Sequence, residues 1–334
     1  KYYKKAIELK DSFPEAHYNL ANSLLLIGDY KKGWEEYEYR FHKKQPSKTH
    51  AKPSIKKWDG GELGDQSLLL VSEQGLGDTL QFMRYILYLK TSGIRVAFCA
   101  QNKLHNLIKS SQIDDKPLLA EQVESIYEGQ WLPLLSLPNY LEINQKNALI
   151  TSPYIKTNPK LINKWKKKLK EENMTVIGIN WQGNKDTENN NLKGRSFKLE
   201  LLSPLAKINN IRFVSLQKGY GSEQLQNCSF KNKFVNCQNQ INNIWDFLEI
   251  AAIIANCDYV ITSDTSVAHL SGGMGKETWV LLHKIPDWRW GINGERTFWY
   301  PSMRLFRQRE LNKWHEVIDK VIIELKTQIK NKNE

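Results

Sequence analysis

Cysteine is scarce in this chain of 334 residues, and its four copies are scattered. Cys99, Cys228, Cys237 and Cys257 do not form a C-x-x-C pair, which is the usual spacing of a zinc or redox site. Cys99 and Cys257 stand in apolar runs, where we expect them to be small core residues. The pattern argues against a cysteine metal site and favours a reducing, cytosolic compartment.

Long hydrophobic runs are also absent. No stretch approaches the roughly 18 apolar residues that a membrane span requires, and no secretory signal pattern is present. We therefore predict a cytoplasmic protein without a transmembrane segment, with a peripheral position at the inner membrane surface as a further option. Because the chain starts at Lys1, within a predicted helix, rather than at Met, we expect it to be a fragment. Its length suits two domains with separate cores.

Acidic residues are the minority among the charges: 36 Asp and Glu against 48 Lys and Arg give a formal net charge of +12. The densest basic cluster is Lys164-Trp165-Lys166-Lys167-Lys168-Leu169-Lys170. A solvated, lysine-rich helix face explains this cluster better than nucleic-acid binding, so no nucleic-acid partner is predicted. Sugar diphosphates and an acidic membrane surface are compatible anionic partners.

Residues 1–42 are predicted to be helical. Between Pro14 and Phe41, side chains of alternating size occupy the packing positions of a tetratricopeptide repeat: His17, Leu20, Ala21, Leu24, Gly28, Tyr30, Gly33 and Tyr37. Tyr2–Asp11 resembles the second helix of a preceding repeat. Arg40 stands where a small residue is usual, which suggests that the last repeat has adapted to a different neighbour. We expect this segment to bind a protein partner or another copy of the chain.

Strands alternate with helices after residue 55, which predicts mostly parallel sheets covered by helices on both faces. We expect strands at 67–71, 94–100, 176–181, 212–217, 259–262 and 278–283, and a long helix at 79–90. The predicted division is a linker at 43–54, a Rossmann-like domain at 55–155 and a second one at 156–309. A final helix at 310–334 is expected to pack back on the first of these domains.

The segment Tyr259–Leu270 is an apolar strand that runs through a polar turn into a helix of small residues. Asp264 or Ser263 can cap that helix. Free N–H groups and the helix dipole make such a turn an anion site, and in a parallel sheet it lies at the carboxyl ends of the strands. An ordinary capped turn is the alternative.

A glycine-rich turn, Gly75-Leu76-Gly77-Asp78, occupies the equivalent place after the first strand. It is a poor dinucleotide fingerprint, because Leu80 stands at the third glycine position and no acidic residue ends a second strand about 20 residues on. Asp78 is a candidate general base for an acceptor hydroxyl, with a helix-capping role as the alternative. Glu73 is a second carboxylate nearby.

The two turns together resemble the paired signatures of the ADP-heptose:lipopolysaccharide heptosyltransferase family (glycosyltransferase family 9). The likeness is closer to bacterial proteins in which tetratricopeptide repeats are fused to such a domain. Further segments agree with this resemblance: Trp58-Asp59-Gly60, Pro133–Pro138, Trp181–Asn184, Val214–Gly219, Pro286–Trp290 and Trp299–Gln308. The resemblance implies a GT-B fold, in which two Rossmann-like domains face one another. It also implies metal-independent, inverting transfer from a nucleotide-diphosphate sugar bound mainly by the second domain.

The resemblance also assigns roles by position. Asp78 matches the proposed catalytic base. Asp264, Thr265 and Ser266 match the turn that holds the donor diphosphate, although glycine is more common at the place of Ser266. Arg195 is the counterpart of a phosphate-binding lysine. The remaining predicted site residues are His269, Trp181, Gln217 and Lys218 on the nucleotide side, and Gly75 and Gly77 in the acceptor-side loop.

Two functions follow. The first is a glycosyltransferase that uses a nucleotide-diphosphate sugar and a glycan or protein acceptor, without a metal or other cofactor. The second is a non-catalytic scaffold that binds a nucleotide and uses its repeats for protein interaction. The aromatic residues Trp288, Trp290, Trp299 and Tyr300 are expected to be core, with stacking on a base or sugar as the alternative.

Overall fold

The structure is a computed structural model that describes residues 1–170, 173–190 and 194–333. Residue 334 of the predicted C-terminal segment and Lys193, beside Arg195, lie outside these residues. The chain divides into two compact units. Unit 1 comprises Lys1–Tyr154 and Trp288–Ile292, and unit 2 comprises Ile155–Asp287 and Asn293–Glu334.

Unit 1 begins with three helices, α1 (Tyr2–Leu9), α2 (Pro14–Ile27) and α3 (Tyr30–Tyr37), followed by a 3-10 turn at Glu38–Phe41. Gly28 ends α2 with a φ of 88°, a left-handed conformation that glycine adopts without strain. A Cβ on Gly33 would lie 2.7 Å from the side chain of Leu25, so glycine lets α2 and α3 approach closely. The helices lie where they were predicted, and their assignment as tetratricopeptide repeats stays a prediction.

The sheet of unit 1 has three parallel strands in the order β2-β1-β3: β1 (Leu68–Val71), β2 (Val96–Cys99) and β3 (Gln130–Pro133). Its helices are α4 (Leu76–Phe82), α5 (Arg84–Thr91), α6 (His105–Ser110), α7 (Ala120–Val123) and α8 (Leu137–Tyr140). The predicted long helix at 79–90 is two helices that meet at Met83. β3 was not predicted, because its short sequence lacks a clear alternating pattern.

A buried ion pair joins the helical segment to this sheet. Arg40 and Glu73 are both fully buried, and the guanidinium donates from Nε and Nη2 to the two carboxylate oxygens at 3.0 and 2.8 Å. Burial alone would lower the pKa of Arg40, but the charge and hydrogen bonds of Glu73 outweigh it and raise that pKa. Arg40, at a position where the predicted repeat pattern usually has a small residue, therefore binds the segment that directly follows β1.

The predicted linker at 43–54 is packed on unit 1. Thr49 forms an antiparallel bridge with Glu73, and the main-chain N–H of His50 donates to the carbonyl of Ser72 at 2.9 Å. Ala51 is buried in a core cluster with Leu69 and Val71. The segment therefore packs on the sheet of unit 1, and its assignment as a linker stays a prediction.

Unit 2 contains a sheet of five parallel strands in the order β5-β4-β6-β7-β8. The strands are β4 (Thr175–Asn180), β5 (Ile211–Ser215), β6 (Tyr259–Ser263), β7 (Thr278–Leu282) and β8 (Met303–Arg307). Its helices are α9 (Pro159–Leu169), α10 (Lys185–Asn190), α11 (Gln224–Asn227), α12 (Gln238–Asn242), α13 (Phe247–Ala255), α14 (Ser266–Gly273) and α15 (Trp314–Asn333). The strand order reverses between β4 and β6, which is where open parallel sheets bind ligands beyond their carboxyl ends.

The C-terminal helix α15 packs on unit 2, whereas it was predicted to pack on the first domain. Its apolar side chains join the core that contains Trp181 and Phe197; they are Trp314, Val317, Ile318, Val321 and Leu325. Residues three and four apart share one helix face, so a single stripe is buried against this core. The prediction was wrong because an apolar stripe indicates that one face of a helix is buried, but it does not indicate which domain's core the helix packs against.

Candidate functional site

The carboxyl edge of the unit 2 sheet carries a buried polar network at the switch point. The Asn180 amide donates to Gln217 Oε1 at 2.9 Å, and its own oxygen accepts from Thr265 Oγ1 at 2.9 Å. Thr262 and Thr265 hydroxyls lie 3.2 Å apart. The network ties the ends of β4, β5 and β6 to the start of α14, so the turn is rigidly placed.

Thr265 caps α14, and not Asp264 or Ser263 as predicted. Its Oγ1 accepts from the N–H of Val267 at 3.3 Å while its backbone is extended, with a φ of −144°. The helix follows at once from Ser266, which is half-buried, as is Thr265. Asp264 is buried and precedes the cap. The predicted Asp264–Ser266 turn therefore exists, with its first helical N–H groups at the carboxyl edge of β6.

Arg195 lies against this turn. Its Nη1 donates to the carbonyl of Asp264 at 3.1 Å, and the side chain packs on Gly183, where a Cβ would lie 2.4 Å from Nη2. Only 9% of the residue is exposed. Among the described residues, Arg195 has no carboxylate at salt-bridge distance, and its buried Nε has no hydrogen-bond partner.

A buried guanidinium stays charged at neutral pH and ordinarily has an anionic partner. For Arg195, the described residues supply a main-chain carbonyl as hydrogen-bond acceptor and no carboxylate at salt-bridge distance. The Oγ of Ser263, at the end of β6, is also buried without a partner in the described part of the chain. An oxyanion ligand at this turn would satisfy such donors.

Gln217 and Trp181 have structural contacts that no local sequence pattern predicts. Gln217 Oε1 accepts from the N–H groups of Trp181 and Gln182, and its Nε2 donates to the carbonyls of Gln182 and Tyr220. Trp181 is fully buried in the core and donates from its indole to Gly221 at 3.2 Å. Both residues shape the strand ends, and neither offers a side chain to a nucleotide in this conformation.

Lys218 follows Gln217 and is half-buried. Its ammonium donates to the carbonyl of Ile241, the last but one residue of α12. Burial lowers the pKa of Lys218 to about 8. The lysine is thus close to losing its charge near physiological pH, and its place in a donor site stays a prediction.

His283 follows β7 on the same edge and was not predicted. It is buried, and burial lowers its pKa, as does the neighbouring charge of Arg195, while Glu188 and Asp287 oppose them. His283 lies at the carboxyl end of β7, the strand next to β6, which leads into the turn before α14. A histidine directly after a strand that lies next to β6 could have been found from the strand register.

His269 on α14 is a buried core residue. Its Nδ1 lies 2.9 Å from the hydroxyl of Tyr300, and the two rings are tilted with centroids 5.8 Å apart. Trp299 and Tyr300 are buried in unit 2, whereas Trp288 and Trp290 belong to unit 1. The predicted aromatic cluster is therefore divided between the two units, and its members are core residues.

In unit 1, Gly75-Leu76-Gly77-Asp78 opens α4 as predicted. Asp78 is the third residue of this helix, and its Oδ2 accepts from the N–H of Gly75, the N-cap, at 2.9 Å. Its Oδ1 accepts from the guanidinium of Arg289. Arg289 also donates from Nε to Gln81 at 2.7 Å. The candidate base therefore has both oxygens occupied by protein donors.

Arg289 was not predicted as a site residue, although the tryptophans on either side of it were singled out. The side chain is 8% exposed and lies over the ring of Trp288, 4.2 Å from its centroid. Trp288 meets Trp34 of α3 edge to face at 5.2 Å. Glu73, the other carboxylate considered as a base, is excluded from that role by its buried pair with Arg40.

Within the described residues, no group of three or more His, Cys, Asp or Glu side chains has a geometry that could hold a metal ion. In that same part of the chain, no helix is long and apolar enough to cross a bilayer.

Comparison with solved structures identifies the fold. No family model matches this chain. A glycosyl transferase family 9 structure from Veillonella parvula is similar with a TM-score of 0.54 and 10% identity, covering 81% of this chain and 99% of that one. The E. coli ADP-heptose LPS heptosyltransferase II is similar with a TM-score of 0.50 and 8% identity, covering 80% and 100%. The chain therefore has the fold of glycosyltransferases with parallel α/β units.

One curated protein gives a match in sequence. Protein FlbA of Caulobacter vibrioides is 24% identical over 347 residues, an alignment that covers 92% of this chain and 54% of FlbA. The chain spans about half the length of this relative.

Proposed function

We propose that this protein transfers a sugar from a nucleotide-diphosphate donor to a hydroxyl of a glycan or protein acceptor. The observation that carries the proposal is the uncompensated guanidinium of Arg195 against the turn that opens α14, at the switch point of the unit 2 sheet. The fold shared with family 9 glycosyltransferases supports the same reading.

Donor binding is assigned to unit 2. The diphosphate would accept hydrogen bonds from Arg195 and from the main-chain N–H groups of the Thr265–Ser266 turn. The helix terminus contributes about 0.3–1 kcal/mol to an exposed charge, whereas a hydrogen bond to a charged group contributes about 1.5–3 kcal/mol. Arg195 is therefore expected to stabilise the diphosphate more than the helix terminus does. It would also stabilise the charge that develops as the bond between the anomeric carbon and the phosphate oxygen breaks.

Asp78 is the proposed base. The acceptor oxygen would form its bond to the anomeric carbon as the diphosphate leaves, with inversion, and the hydroxyl proton would pass to the carboxylate. For this step Asp78 must exchange the hydrogen bond from Arg289 for one from the acceptor, because a carboxylate bound to a guanidinium is a weak base. The transfer is proposed to need no metal.

The donor site is tested by titration calorimetry with ADP, UDP and GDP and their sugar conjugates. We expect at least one nucleotide to bind the wild-type protein, and the Arg195→Gln variant to bind it about 10- to 100-fold more weakly, as the loss of a charge-assisted hydrogen bond implies. Arg212→Gln is the control, since that guanidinium donates to the Asn232 carbonyl. Equal affinities of the wild type and Arg195→Gln would exclude Arg195 from the site.

The pairing of Asp78 with Arg289 favours a second candidate, a scaffold that binds a nucleotide sugar without turning it over. In that case the carboxylate serves as a capping group and as an anchor for Arg289. Tight binding of a donor with no release of nucleoside diphosphate, in the presence of glycan and protein acceptors, would support the scaffold. Arg289→Gln should then lower stability without affecting nucleotide affinity.

The helical segment is proposed to bind a protein, either the acceptor or a second copy of the chain. Its first helix, α1, has no buried residue, and Tyr2 and Leu9 are 86% and 77% exposed. We place the protein in the cytoplasm, on the basis of the cysteine usage and of a nucleotide-activated donor.

A further inference from the structure

The helix α9 presents an unusually basic outer surface. No acidic residue occurs between Lys156 and Lys170, a segment with seven lysines. Trp165 and Leu169 are buried, with 0% and 1% exposure, and fix the inner face of the helix. At 100° per residue, Lys160, Lys167 and Lys170 fall opposite these two side chains.

The outer lysines are exposed and carry little intramolecular compensation. Lys160, Lys166, Lys167 and Lys170 are all exposed, and within the described residues none of these four forms an ion pair. Lys164 is paired with Glu249 of α13. Lys168 donates to the neutral amide of Gln240 in α12. Glu171 and Glu172, which follow in the sequence, lie outside the described residues.

An exposed tryptophan lies in the turn beside this helix. Trp245 joins α12 to α13, and α9 contacts both of these helices through Lys168 and Lys164. Trp245 is 55% exposed, which is high for the largest and most amphipathic side chain. The surface formed by Lys160, Lys167, Lys170 and Trp245 is here called the α9 surface.

We propose that the α9 surface docks on an anionic phospholipid bilayer. Lysines near such a surface are attracted to the negative headgroups, and each strengthens binding by about fivefold. Tryptophan is the residue that prefers the interface between headgroups and hydrocarbon. Single-stranded nucleic acid would also attract lysines and stack on an exposed tryptophan, and the test separates this outcome from docking on a bilayer.

Docking of this kind is peripheral. The apolar face of α9 is already used in the core of unit 2, so the helix does not insert, and attachment depends on charge and on Trp245 alone. Salt therefore weakens it strongly, because a Debye length of about 8 Å at physiological ionic strength screens exposed charges. This inference does not depend on the proposed glycosyl transfer, since neither Arg195 nor Asp78 takes part.

The test is vesicle cosedimentation of the full chain with phosphatidylglycerol–phosphatidylethanolamine vesicles and with pure phosphatidylcholine vesicles. We expect the protein to bind the anionic vesicles alone. We also expect this binding to be lost at 0.5 M salt, which is about three times the physiological ionic strength. Replacing Lys160, Lys167 and Lys170 by Gln should weaken binding by about a hundredfold. The matched control replaces three exposed lysines of or next to α15: Lys313, Lys320 and Lys326.

The control variant carries the same change in net charge and should lose no more than a few-fold. Vesicles with brominated lipid should quench part of the tryptophan fluorescence of the wild type, and the Trp245→Phe variant should lose that quenching. Failure of the wild type to bind anionic vesicles would overturn the proposal. So would an equal loss in the two lysine variants, or preferential binding of a single-stranded RNA to the α9 surface.

Discussion

At the scale of single residues, three of the four buried arginines in the described chain, Arg40, Arg195 and Arg289, differ in how their charge is compensated. Arg40 is paired with Glu73, and Arg289 with Asp78, so each has its charge neutralised. Arg195 has the carbonyl of Asp264 and no carboxylate partner among the described residues. A cation held in that state is costly to the free protein and available to an anion.

This contrast predicts opposite effects of substitution on stability. Arg195→Gln removes a poorly compensated buried charge, so we expect the free energy of unfolding of the unliganded protein to stay the same or rise by about 1 kcal/mol. The nucleotide affinity falls in the same variant. Urea denaturation with and without nucleotide measures both effects, and a large loss of stability in the free protein would show that Arg195 is a structural residue.

Lys218 predicts a pH dependence of donor binding. Its pKa of about 8 lies below the ordinary value of 10.5, so the folded protein releases this proton as the pH rises through 8. A diphosphate binds the charged form better, and its dissociation constant should rise above pH 8, approaching tenfold per pH unit. Calorimetry between pH 7 and 9.5 would show this rise in the wild type.

The Lys218→Met variant should bind the nucleotide more weakly and lose the rise above pH 8. Lys231→Met, at an exposed lysine of the same unit, should keep it. If the wild type and Lys218→Met had the same pH profile, Lys218 would have no place in the donor site.

At the scale of the elements, buried polar contacts join the helical segment to the end of the first strand of unit 1. Arg40 connects α3 and its 3-10 extension to Glu73, and Glu38 accepts from Arg40 and from Ser136. Burial would raise the pKa of Glu38, but the charge and hydrogen bonds of Arg40, together with Ser136, lower it. The loop that carries Asp78 therefore begins close to Glu73, a residue bound by the helical segment.

Breaking this pair should be costly. Arg40→Met leaves Glu73 as a buried charge without its partner, and we expect a loss of about 3–5 kcal/mol in the free energy of unfolding. The double variant Arg40→Met with Glu73→Met removes both charges and should recover most of the loss. Urea denaturation of the single and double variants measures the coupling, and additive effects would show that the two side chains do not interact.

The positions of the strands and helices also show which features could be predicted from the sequence. Strands and helices were predicted where a buried apolar run met a glycine or a cap, as at Gly75 and at the turn before α14. The cap itself was misassigned, because Asp264, Thr265 and Ser263 all have capping side chains and only the backbone conformation selects Thr265. The Asn180–Gln217 bond joins residues 37 positions apart, and no local pattern contains it.

The pairing of Asp78 with Arg289 could not be predicted from the sequence either, because the two residues are 211 positions apart and no local pattern contains both. This pairing changes what is expected of Asp78 as a candidate base. Local sequence shows a carboxylate at a helix start, whereas the structure shows a carboxylate whose two oxygens are already bound. The fold class, by contrast, depends on the order of strands and helices along the chain, which the sequence displays directly.

At the scale of the whole molecule, the chain spans about half the length of FlbA and carries a formal net charge of +12. It shares the fold of family 9 glycosyltransferases, and its donor, acceptor and activity are proposals. The proposed division of labour assigns the diphosphate to unit 2 and the proton transfer to Asp78 in unit 1.

The measurement that tests this account most directly is the release of nucleoside diphosphate from a panel of ADP-, UDP- and GDP-sugars, followed by mass spectrometry. We predict release by the wild-type protein and a loss of about 100-fold or more in Asp78→Asn, the magnitude of general base catalysis. Asp65→Asn, at an exposed carboxylate of the same unit, should keep full activity. Undiminished release by Asp78→Asn, or the absence of both binding and release for every donor, would contradict the account.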